Sequence, residues 1–265
     1  MFDVEMEQKW MFLTATDGIK IAYDVQGEGP LLILLQGFDE ARQIWHELGY
    51  VERLSQHFRV VTMDRRGIGE SDKPTEARAY RLEQMLDDIS AVADVCEAKK
   101  FMVWGHSFGA SLALQLAARS ERVNRAIAAG SFFGRVYFEE RINQIVSELQ
   151  VLYKAQQDGN LRELGLDHED VRWVEERSLP ALMACWQATV SWPVINPGEV
   201  HCPLYVYSGS DDRRITRPLL ERQEEIDEAG ILLRIFDHID HAQELSEIEV
   251  VYPAAEVFLR KQPEE

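Results

Sequence analysis

The sequence predicts an α/β fold, in which a mainly parallel sheet is flanked by helices and a small helical cap lies over it. Two observations support this prediction. Short apolar runs alternate with longer amphipathic segments in the first half of the chain, and LLILL at 31–35 is an unbroken apolar run. Such runs are typical of strands buried on both faces, and strand–helix alternation produces a parallel sheet covered by helices.

The elements can be assigned in chain order. A hairpin around Asp17-Gly18 is predicted first, then LLILL, then a helical stretch around Trp45. Further strands are predicted at 58–64, 101–104, 123–130, 203–209 and 231–238, and further helices at 79–97 and 112–118.

The alternation stops between about 133 and 200, where the pattern is helical and charged. We interpret 133–200 as a helical cap inserted into the core domain, which then comprises 1–132 and 201–265. Aromatic residues in and beside this segment predict a largely apolar pocket under the cap. They are Trp173, Trp186 and Trp192, with Phe132, Phe133 and Tyr137.

Composition narrows the range of partners. The 265 residues suit one large domain, and the formal net charge of −18 comes from dispersed carboxylates. A surface of this sign repels phosphate backbones and anionic lipid, so nucleic acid and membranes are not expected as partners. A small-molecule substrate is the predicted partner, and a homodimer stays open because the sequence does not indicate the oligomeric state.

Neither a metal ion nor a cofactor is expected. Cys96, Cys185 and Cys202 are scattered and form no C-x-x-C pair, which argues against a zinc site or a disulfide framework. The first ten residues, MFDVEMEQKW, lack the basic start and apolar run of a secretory signal. Since no apolar stretch reaches the roughly 18 residues of a membrane span, we predict a cytoplasmic protein.

Ser107 is the candidate nucleophile, because it is the centre of GHSFG at 105–109. An apolar strand precedes this turn and an Ala/Leu-rich helix follows it. A strand–sharp turn–helix unit holds a serine hydroxyl exposed at its tip, and the flanking glycines permit the close approach that it requires. The helix N-terminus also offers free N–H groups to an oxyanion.

A serine nucleophile requires a general base and a carboxylate that orients it. The segment FDHIDHAQEL follows the last predicted strand and offers two histidines. We assign the base to His241, with His238 as the alternative, because His241 lies farther into the loop and precedes a helical run. His106 adjoins the serine and is predicted to point away from its hydroxyl, as a packing residue.

The orienting carboxylate is predicted after the second-to-last strand, where YVYSGSDDRRI places two adjacent acids. We assign it to Asp212, with Asp211 as the alternative. The end of the strand after the nucleophile's helix reads Ala129-Gly130-Ser131 and offers no acid. The resulting order along the chain is Ser107, Asp212, His241, as in the strand–turn–helix hydrolase architecture.

Four segments in this order resemble the α/β-hydrolase superfamily over nearly the whole chain. They are Gly37-Phe38 after LLILL, DRRGIGESDKP at 64–74, GHSFGA at 105–110, and the late GSDD and DHA segments. The second segment contains the pattern Asp-x-Arg-Gly-x-Gly-x-Ser, as Asp64, Arg66, Gly67, Gly69 and Ser71. The resemblance implies an α/β-hydrolase fold with 133–200 as the cap.

The same resemblance implies an oxyanion hole built from the backbone N–H groups of Phe38 and Phe108. Many relatives have His-Gly where this chain has Gln36-Gly37. Because backbone donation does not depend on that side chain, we expect the oxyanion hole to form. The glutamine at position 36 affects the local geometry of the loop and not the class of reaction.

The leading hypothesis is a serine hydrolase that cleaves a small, mostly apolar carboxylic ester or lactone through an acyl-enzyme. A serine at the turn argues against haloalkane dehalogenases and epoxide hydrolases, which resemble this fold but use an aspartate there. Carbon–carbon bond hydrolysis and cofactor-free haloperoxidase chemistry could use the same three side chains. A hypothesis of another class is a ligand-binding or signalling protein with slow turnover.

Overall fold

The computed structural model describes residues 11–135 and 138–261, and a sheet of eight strands lies at its centre. The strands are β1 (Met11–Thr14), β2 (Lys20–Gln26), β3 (Leu31–Leu35), β4 (Arg59–Met63), β5 (Phe101–His106), β6 (Val123–Ala129), β7 (Leu204–Gly209) and β8 (Leu232–Phe236). Their spatial order is β1-β2-β4-β3-β5-β6-β7-β8. Strands β3 to β8 are mutually parallel and β2 runs antiparallel to both its neighbours, which confirms the predicted α/β architecture.

Helices connect the strands. They are α1 (Gln43–Glu47), α2 (Tyr50–Leu54), α3 (Leu82–Val95), α4 (Phe108–Arg119), α5 (Glu139–Asp158), α6 (His168–Glu175), α7 (Leu179–Thr189), α8 (Arg213–Glu221), α9 (Gln223–Glu228), α10 (Gln243–Ser246) and α11 (Ile248–Arg260). Short 3₁₀ helices lie at Ala77–Tyr80, Leu161–Leu164 and Pro197–Glu199. The helical stretch predicted around Trp45 is two helices, since Gly49 between them has a left-handed φ of 79°.

Both faces of the sheet are buried. In β3 the side chains of Leu32 and Leu34 enter one apolar cluster, while Ile33 enters the cluster on the opposite face. Trp104 of β5 is fully buried beneath the first face, with its ring centre 5.2 Å from that of Tyr50. Truncating such a side chain to alanine typically costs about 3–5 kcal/mol, so this layer fixes the central strands firmly.

The first two strands form the predicted hairpin. Leu13 lies opposite Ile21, and the turn closes through the Ala15 N–H, which donates to the Ile19 carbonyl at 2.8 Å. Gly18 has a φ of 86°, a conformation that a glycine adopts without strain.

The segment that begins at Asp64 is a structural anchor rather than part of the pocket. The buried Asp64 carboxylate accepts hydrogen bonds from the N–H groups of Arg42 at 2.8 Å and Glu70 at 2.9 Å. A Cβ at Gly69 would overlap that carboxylate, which explains the glycine. The Arg66 guanidinium binds Asp88 at 2.7 Å, so the motif ties β4 to α3.

Three helices, α5, α6 and α7, lie between β6 and β7, and the described residues of this stretch contain no strand. Their apolar faces form a separate cluster that includes Ile142, Val174 and Leu182. Ile68 of the core joins this cluster, so the helices pack on the loop that follows β4. This arrangement has the form of the predicted cap; the limits 133–200 stay a prediction.

None of the described helices combines the length and the apolar character needed to cross a membrane. The first ten residues, on which the expectation about a signal segment depends, lie outside the described part of the chain.

Candidate active site

Ser107 lies in the sharp turn between β5 and α4. Its backbone has φ 54° and ψ −112°, a strained conformation for a residue that is not glycine. The Ser107 N–H donates to the carbonyl of Ala129 at 2.8 Å, which holds the turn against the end of β6. The strain places the hydroxyl at the carboxyl edge of the sheet, where ligands bind in folds of this class.

Two glycines make this turn possible. A Cβ at Gly105 would overlap the carbonyl of Gly109 across the turn. A Cβ at Gly109 would overlap the carbonyl of Leu35 at the end of β3. Since any side chain would force β5, α4 and β3 apart, both positions require glycine for close packing rather than for an unusual φ.

The structure brings the three predicted side chains into one hydrogen-bonded chain. Ser107 Oγ lies 2.8 Å from His241 Nε2, and His241 Nδ1 lies 2.6 Å from Asp212 Oδ2. These residues follow β5, β8 and β7, whose carboxyl ends meet at one edge of the sheet. With the proton on Nδ1 held by Asp212, Nε2 can accept the serine proton.

The two alternatives lie outside this chain of hydrogen bonds. Asp211 is exposed, and its N–H donates to the Ile239 carbonyl at 3.1 Å. His238 is exposed too, and its N–H donates to Ser210 Oγ at 2.9 Å. Both therefore shape the turn that presents Asp212 and His241.

His106 supports the backbone of the candidate base. Its Nε2 lies 3.0 Å from the carbonyl oxygen of His241, so the ring donates a hydrogen bond there. Complete burial lowers the pKa of His106 to about 3, which keeps the ring neutral. The side chain does not contact the Ser107 hydroxyl, in agreement with the predicted packing role.

The electrostatic environment of His241 favours its charged form. Burial alone would lower the pKa of His241, but the hydrogen bond to Asp212 and the nearby carboxylate of Glu244 outweigh it and raise the pKa to about 9. Burial likewise opposes ionisation of Asp212, and the hydrogen bond from His241 overcomes it, so that the Asp212 pKa falls below its usual range. The two opposite shifts both favour an imidazolium–carboxylate pair.

The two predicted oxyanion donors lie beside the serine. Phe108 is the first residue of α4, where helix geometry leaves the N–H without an intrahelical acceptor. Within the described part of the chain, no acceptor is hydrogen-bonded to the Phe38 or Phe108 N–H. The two rings meet edge to face at 5.2 Å, and both residues line the pocket with Ser107.

The loop that carries Phe38 is fixed from both sides. Gln36, at the position where the sequence departs from its relatives, donates from Nε2 to the Met63 carbonyl at 3.0 Å. Glu40 Oε2 accepts from the Gly37 N–H at 2.8 Å. The glutamine thus anchors the loop to β4 and does not bond to the Phe38 N–H.

Comparisons with known proteins agree with this architecture. A family profile described as alpha/beta hydrolase fold matches residues 30–157. A carboxylesterase structure from Nitrososphaera gargenis superposes with a TM-score of 0.76 at 21% identity, covering 94% of this chain and 97% of that one. An enol-lactonase from Burkholderia xenovorans superposes with a TM-score of 0.73 at 20% identity, covering 95% and 100%.

The chain has the α/β-hydrolase fold. Among curated relatives, epoxide hydrolase 4 of Mus musculus is 35% identical over 103 residues, which are 38% of this chain and 28% of that protein. The chain spans about a quarter of the length of the curated relatives that it matches, 28% and 24% for the first two. The solved structures are distant enough in sequence that they establish the fold alone.

A pocket lies over Ser107. It lies between α4 and the segment that contains α7, and about 690 Å³ of empty space, its open mouth included, lies within it. Its apolar wall comprises Phe38, Phe108, Trp186, Trp192 and Val194. The charged residues that line it are Arg135 and Arg214, so the pocket has a positive rim although the whole chain is acidic.

The aromatic residues of the predicted cap have different roles. Trp186 stacks on Phe38 with ring centres 4.1 Å apart, and Trp192 packs 5.5 Å from Phe108. Trp173 does not line the pocket and donates instead from Nε1 to Asp39 Oδ2 at 2.7 Å. The first two therefore shape the cavity, whereas the third ties α6 to the Phe38 loop. Tyr137 lies outside the described residues.

Sequence reasoning missed two residues at this site. Arg65 donates to the Phe38 carbonyl, and its guanidinium lies 4.8 Å from the ring centres of both Phe38 and Phe108. Glu244 is fully buried, with Oε2 at 3.2 Å from His241 Nδ1. Arg65 occupies the unspecified position of the Asp-x-Arg-Gly pattern, and Glu244 follows His241 by three residues, so neither had a motif to reveal it.

One side-chain cluster has the composition of a metal site. Ligand atoms of His106, His241 and Glu244 lie within 4.8 Å of one another. However, His106 Nε2 is bonded to the His241 carbonyl and His241 Nδ1 to Asp212. A metal ion would have to break the contacts that align His241 with Ser107, so the donor set does not fit one.

Proposed function

We propose that this α/β hydrolase cleaves carboxylic esters or lactones through an acyl-enzyme on Ser107. The observation that carries the proposal is the 2.8 Å separation of Ser107 Oγ and His241 Nε2, with Asp212 on the other ring nitrogen. A hydroxyl, an imidazole and a carboxylate that are hydrogen-bonded in this order are the groups that acyl transfer needs.

In the first step His241 takes the proton of Ser107 as its oxygen attacks the substrate carbonyl. The tetrahedral oxyanion accepts hydrogen bonds from the Phe38 and Phe108 N–H groups, and each such donor is typically worth about 10²–10³ in rate. The imidazolium then gives its proton to the departing alkoxide oxygen, which leaves an ester on Ser107. Water activated by His241 hydrolyses that ester and restores the serine.

Ser107 also favours acyl substrates over epoxides, although curated relatives of this chain are named epoxide hydrolases. An aspartate that opens an epoxide forms an ester, which water can hydrolyse. A serine that opened an epoxide would form an ether, and the site holds no group that cleaves an ether. The reaction would stop after one turnover, so esters and lactones are the substrates consistent with a serine nucleophile.

The pocket supports small, mostly apolar acyl or alcohol groups. Aromatic side chains form the wall nearest Ser107, and burying one methylene against such a wall is worth about 0.8 kcal/mol. Ser111 and Gln115 supply polar groups on the α4 side of the same cavity. A short-chain ester with an apolar acyl group fits this lining.

The decisive experiment combines hydrolysis of p-nitrophenyl butyrate with labelling by a fluorophosphonate probe. The wild-type protein is expected to release p-nitrophenol and to carry the probe on Ser107. Ser107→Ala should lose both, whereas Ser147→Ala, which removes an exposed hydroxyl on α5, should keep both.

Three results would overturn the proposal. Labelling of a serine other than Ser107 in folded protein would exclude the assigned nucleophile. Tight binding of the ester without accelerated hydrolysis would favour a ligand-binding protein. Activity on a carbon–carbon substrate, or halogenation with peroxide, that exceeds ester hydrolysis would assign the same three side chains to one of those reactions.

A further inference from the structure

A second carboxylate reaches the candidate base from α10. Glu244 is fully buried, and its Oε1 accepts hydrogen bonds from Ser208 Oγ at 2.6 Å and from the Gly209 N–H at 2.7 Å. These contacts attach α10 to the end of β7, the strand that precedes Asp212. The Oε1 atom therefore accepts two hydrogen bonds that hold α10 against β7.

The other oxygen faces the catalytic imidazole. Glu244 Oε2 lies 3.2 Å from His241 Nδ1, while Asp212 Oδ2 lies closer to the same nitrogen, at 2.6 Å. Among the described residues no donor forms a hydrogen bond with Glu244 Oε2, although the atom is buried. An unpartnered buried carboxylate oxygen is costly, and a nearby positive charge is the interaction that offsets the cost.

The backbone makes room for this oxygen. Gly130, at the end of β6, has a φ of 66°, and a Cβ there would overlap Glu244 Oε2 and approach His241 Cε1 to 2.9 Å. This strand end is the position where the sequence offers no acid of its own. The carboxylate of Glu244 occupies the space that a side chain from residue 130 would fill.

We propose that Glu244 is a second orienting carboxylate for His241, which shares its Nδ1 edge with Asp212 and stabilises the imidazolium formed when Ser107 is deprotonated. This inference rests on the proposed function for its catalytic meaning. Glu244 does not contact the Ser107 hydroxyl in the described structure, so it acts through His241 as a positioning residue.

The other groups around His241 do not replace this carboxylate. Asp212 faces it from the start of α8 with Arg214 nearby, Glu40 faces it from the Phe38 loop, and the neutral His106 lies beneath it. Of these, only Asp212 and Glu244 place a carboxylate oxygen close to Nδ1 in the described structure, at 2.6 Å and 3.2 Å. Both support the raised pKa of His241, and the hydrogen bond to Asp212 contributes most.

Glu244→Gln separates this role from a purely structural one. The amide oxygen of glutamine can keep the hydrogen bonds from Ser208 and Gly209, whereas its NH₂ group replaces Oε2 beside Nδ1. The variant therefore keeps the shape and the anchoring of α10. It removes the negative charge and places an NH₂ group, which cannot accept a hydrogen bond, beside the protonated Nδ1. Glu247→Gln is the matched control, because Glu247 is an exposed carboxylate at the end of the same helix.

The closing experiment follows the His241 ring by NMR with ¹³C-labelled histidine, assigned by the signal lost in His241→Gln. The pKa of His241 is expected to fall from about 9 to about 8 or lower in Glu244→Gln, a tenfold or greater loss of proton affinity. Glu247→Gln should leave it unchanged. An equal pKa in wild type and Glu244→Gln, with both folded, would overturn the proposal.

Because the titration does not require turnover, it separates this inference from the proposed function. A pKa that falls in Glu244→Gln while no ester is hydrolysed would sustain the pairing and refute only the activity. With activity present, Asp212→Asn should retain more than the roughly 10⁻⁴ of activity left when a sole orienting aspartate is replaced. The double variant of Asp212→Asn and Glu244→Gln should have at least about tenfold less activity than Asp212→Asn alone. Equal activity of these two variants would contradict a shared role.

Discussion

The guanidinium of Arg65 donates a hydrogen bond to the carbonyl of Phe38 and lies 4.8 Å from the centre of its ring. The same guanidinium lies 4.8 Å from the ring of Phe108. The two residues expected to bind the oxyanion thus pack against one buried cation. Its bond to the Phe38 carbonyl fixes the backbone on one side of the N–H group that would bind substrate.

Replacing Arg65 by lysine should therefore impair catalysis more than binding. Lysine keeps the charge but lacks the planar fork that contacts a carbonyl and two rings together. We expect kcat for p-nitrophenyl butyrate to fall about 10- to 100-fold with little change in KM, because a displaced oxyanion donor acts in the transition state.

Arg59→Lys is the control for this substitution. Arg59 also donates to a backbone carbonyl, that of Cys96, but lies away from the pocket lining. It should lose stability without a change in kcat. Equal kcat values for the two lysine variants would show that the contact between Arg65 and Phe38 has no catalytic role.

The raised pKa of His241 predicts an alkaline pH profile. The base must be neutral to accept the Ser107 proton, and its pKa is about 9. Below this pKa, kcat/KM should rise about tenfold per pH unit. Above the pKa, kcat/KM should become constant. Initial rates with a neutral ester between about pH 6 and 10.5 measure this profile; a limb centred near the ordinary histidine value of about 6.5 would contradict it.

The same titration predicts how stability depends on pH. The pKa of His241 lies above its ordinary value in the unfolded chain, so the charged histidine stabilises the fold. This contribution should be fully present below about pH 6.5 and lost as the pH rises through about 9. Urea unfolding of wild type and His241→Gln at both ends of this range should show their difference in stability shrink as the pH rises.

The location of the candidate site could be predicted because its signals are local. The turn around Ser107 needs glycines at fixed offsets, and Asp212 and His241 follow apolar runs that only buried strands explain. Choosing Asp212 over Asp211 depended on position alone; in the structure Asp212 is buried and bonded to His241, whereas Asp211 is exposed.

Glu244 and Arg65 could not be predicted because their roles arise from tertiary packing. Glu244 resembles any acid of a surface helix until α10 docks on β7 and buries it. Arg65 follows a strand and meets Phe38 and Phe108 only when three separate segments converge. Buried charges of this kind depend on contacts between distant parts of the chain, which hydrophobic patterning does not encode.

Alanine substitutions at two glycines with similar backbone conformation can distinguish the cost of backbone strain from an effect on the site. Gly130 has a φ of 66° and Gly165 a φ of 76°, but a Cβ at Gly130 overlaps Glu244 while one at Gly165 has nothing within 4 Å. Both alanine variants should lose about 1–2 kcal/mol of stability from the left-handed conformation. Gly130→Ala should lose more, since Glu244 must move.

Activity should distinguish these variants more sharply than stability. Gly130→Ala is expected to lose at least about tenfold in kcat, since displacement of Glu244 and His241 disturbs the alignment with Ser107. Gly165→Ala should keep wild-type kcat. Thermal melts and initial rates measured on the same preparations test both points, and a Gly130→Ala protein with unchanged kcat would show that the space around Glu244 is not critical.

Trp186 is expected to limit the size of the group that reaches Ser107. Its ring stacks 4.1 Å from Phe38 and lines the pocket, so Trp186→Leu should enlarge the cavity without removing an apolar wall. Each added methylene that finds new contact is worth about 0.8 kcal/mol, so two of them should raise kcat/KM for the hexanoate ester over the butyrate about tenfold relative to wild type. Trp173→Phe, which alters a cap tryptophan that does not line the pocket, should leave this ratio unchanged. If both variants gave the wild-type ratio, acyl length would be selected elsewhere than at the stacked pair of Trp186 and Phe38.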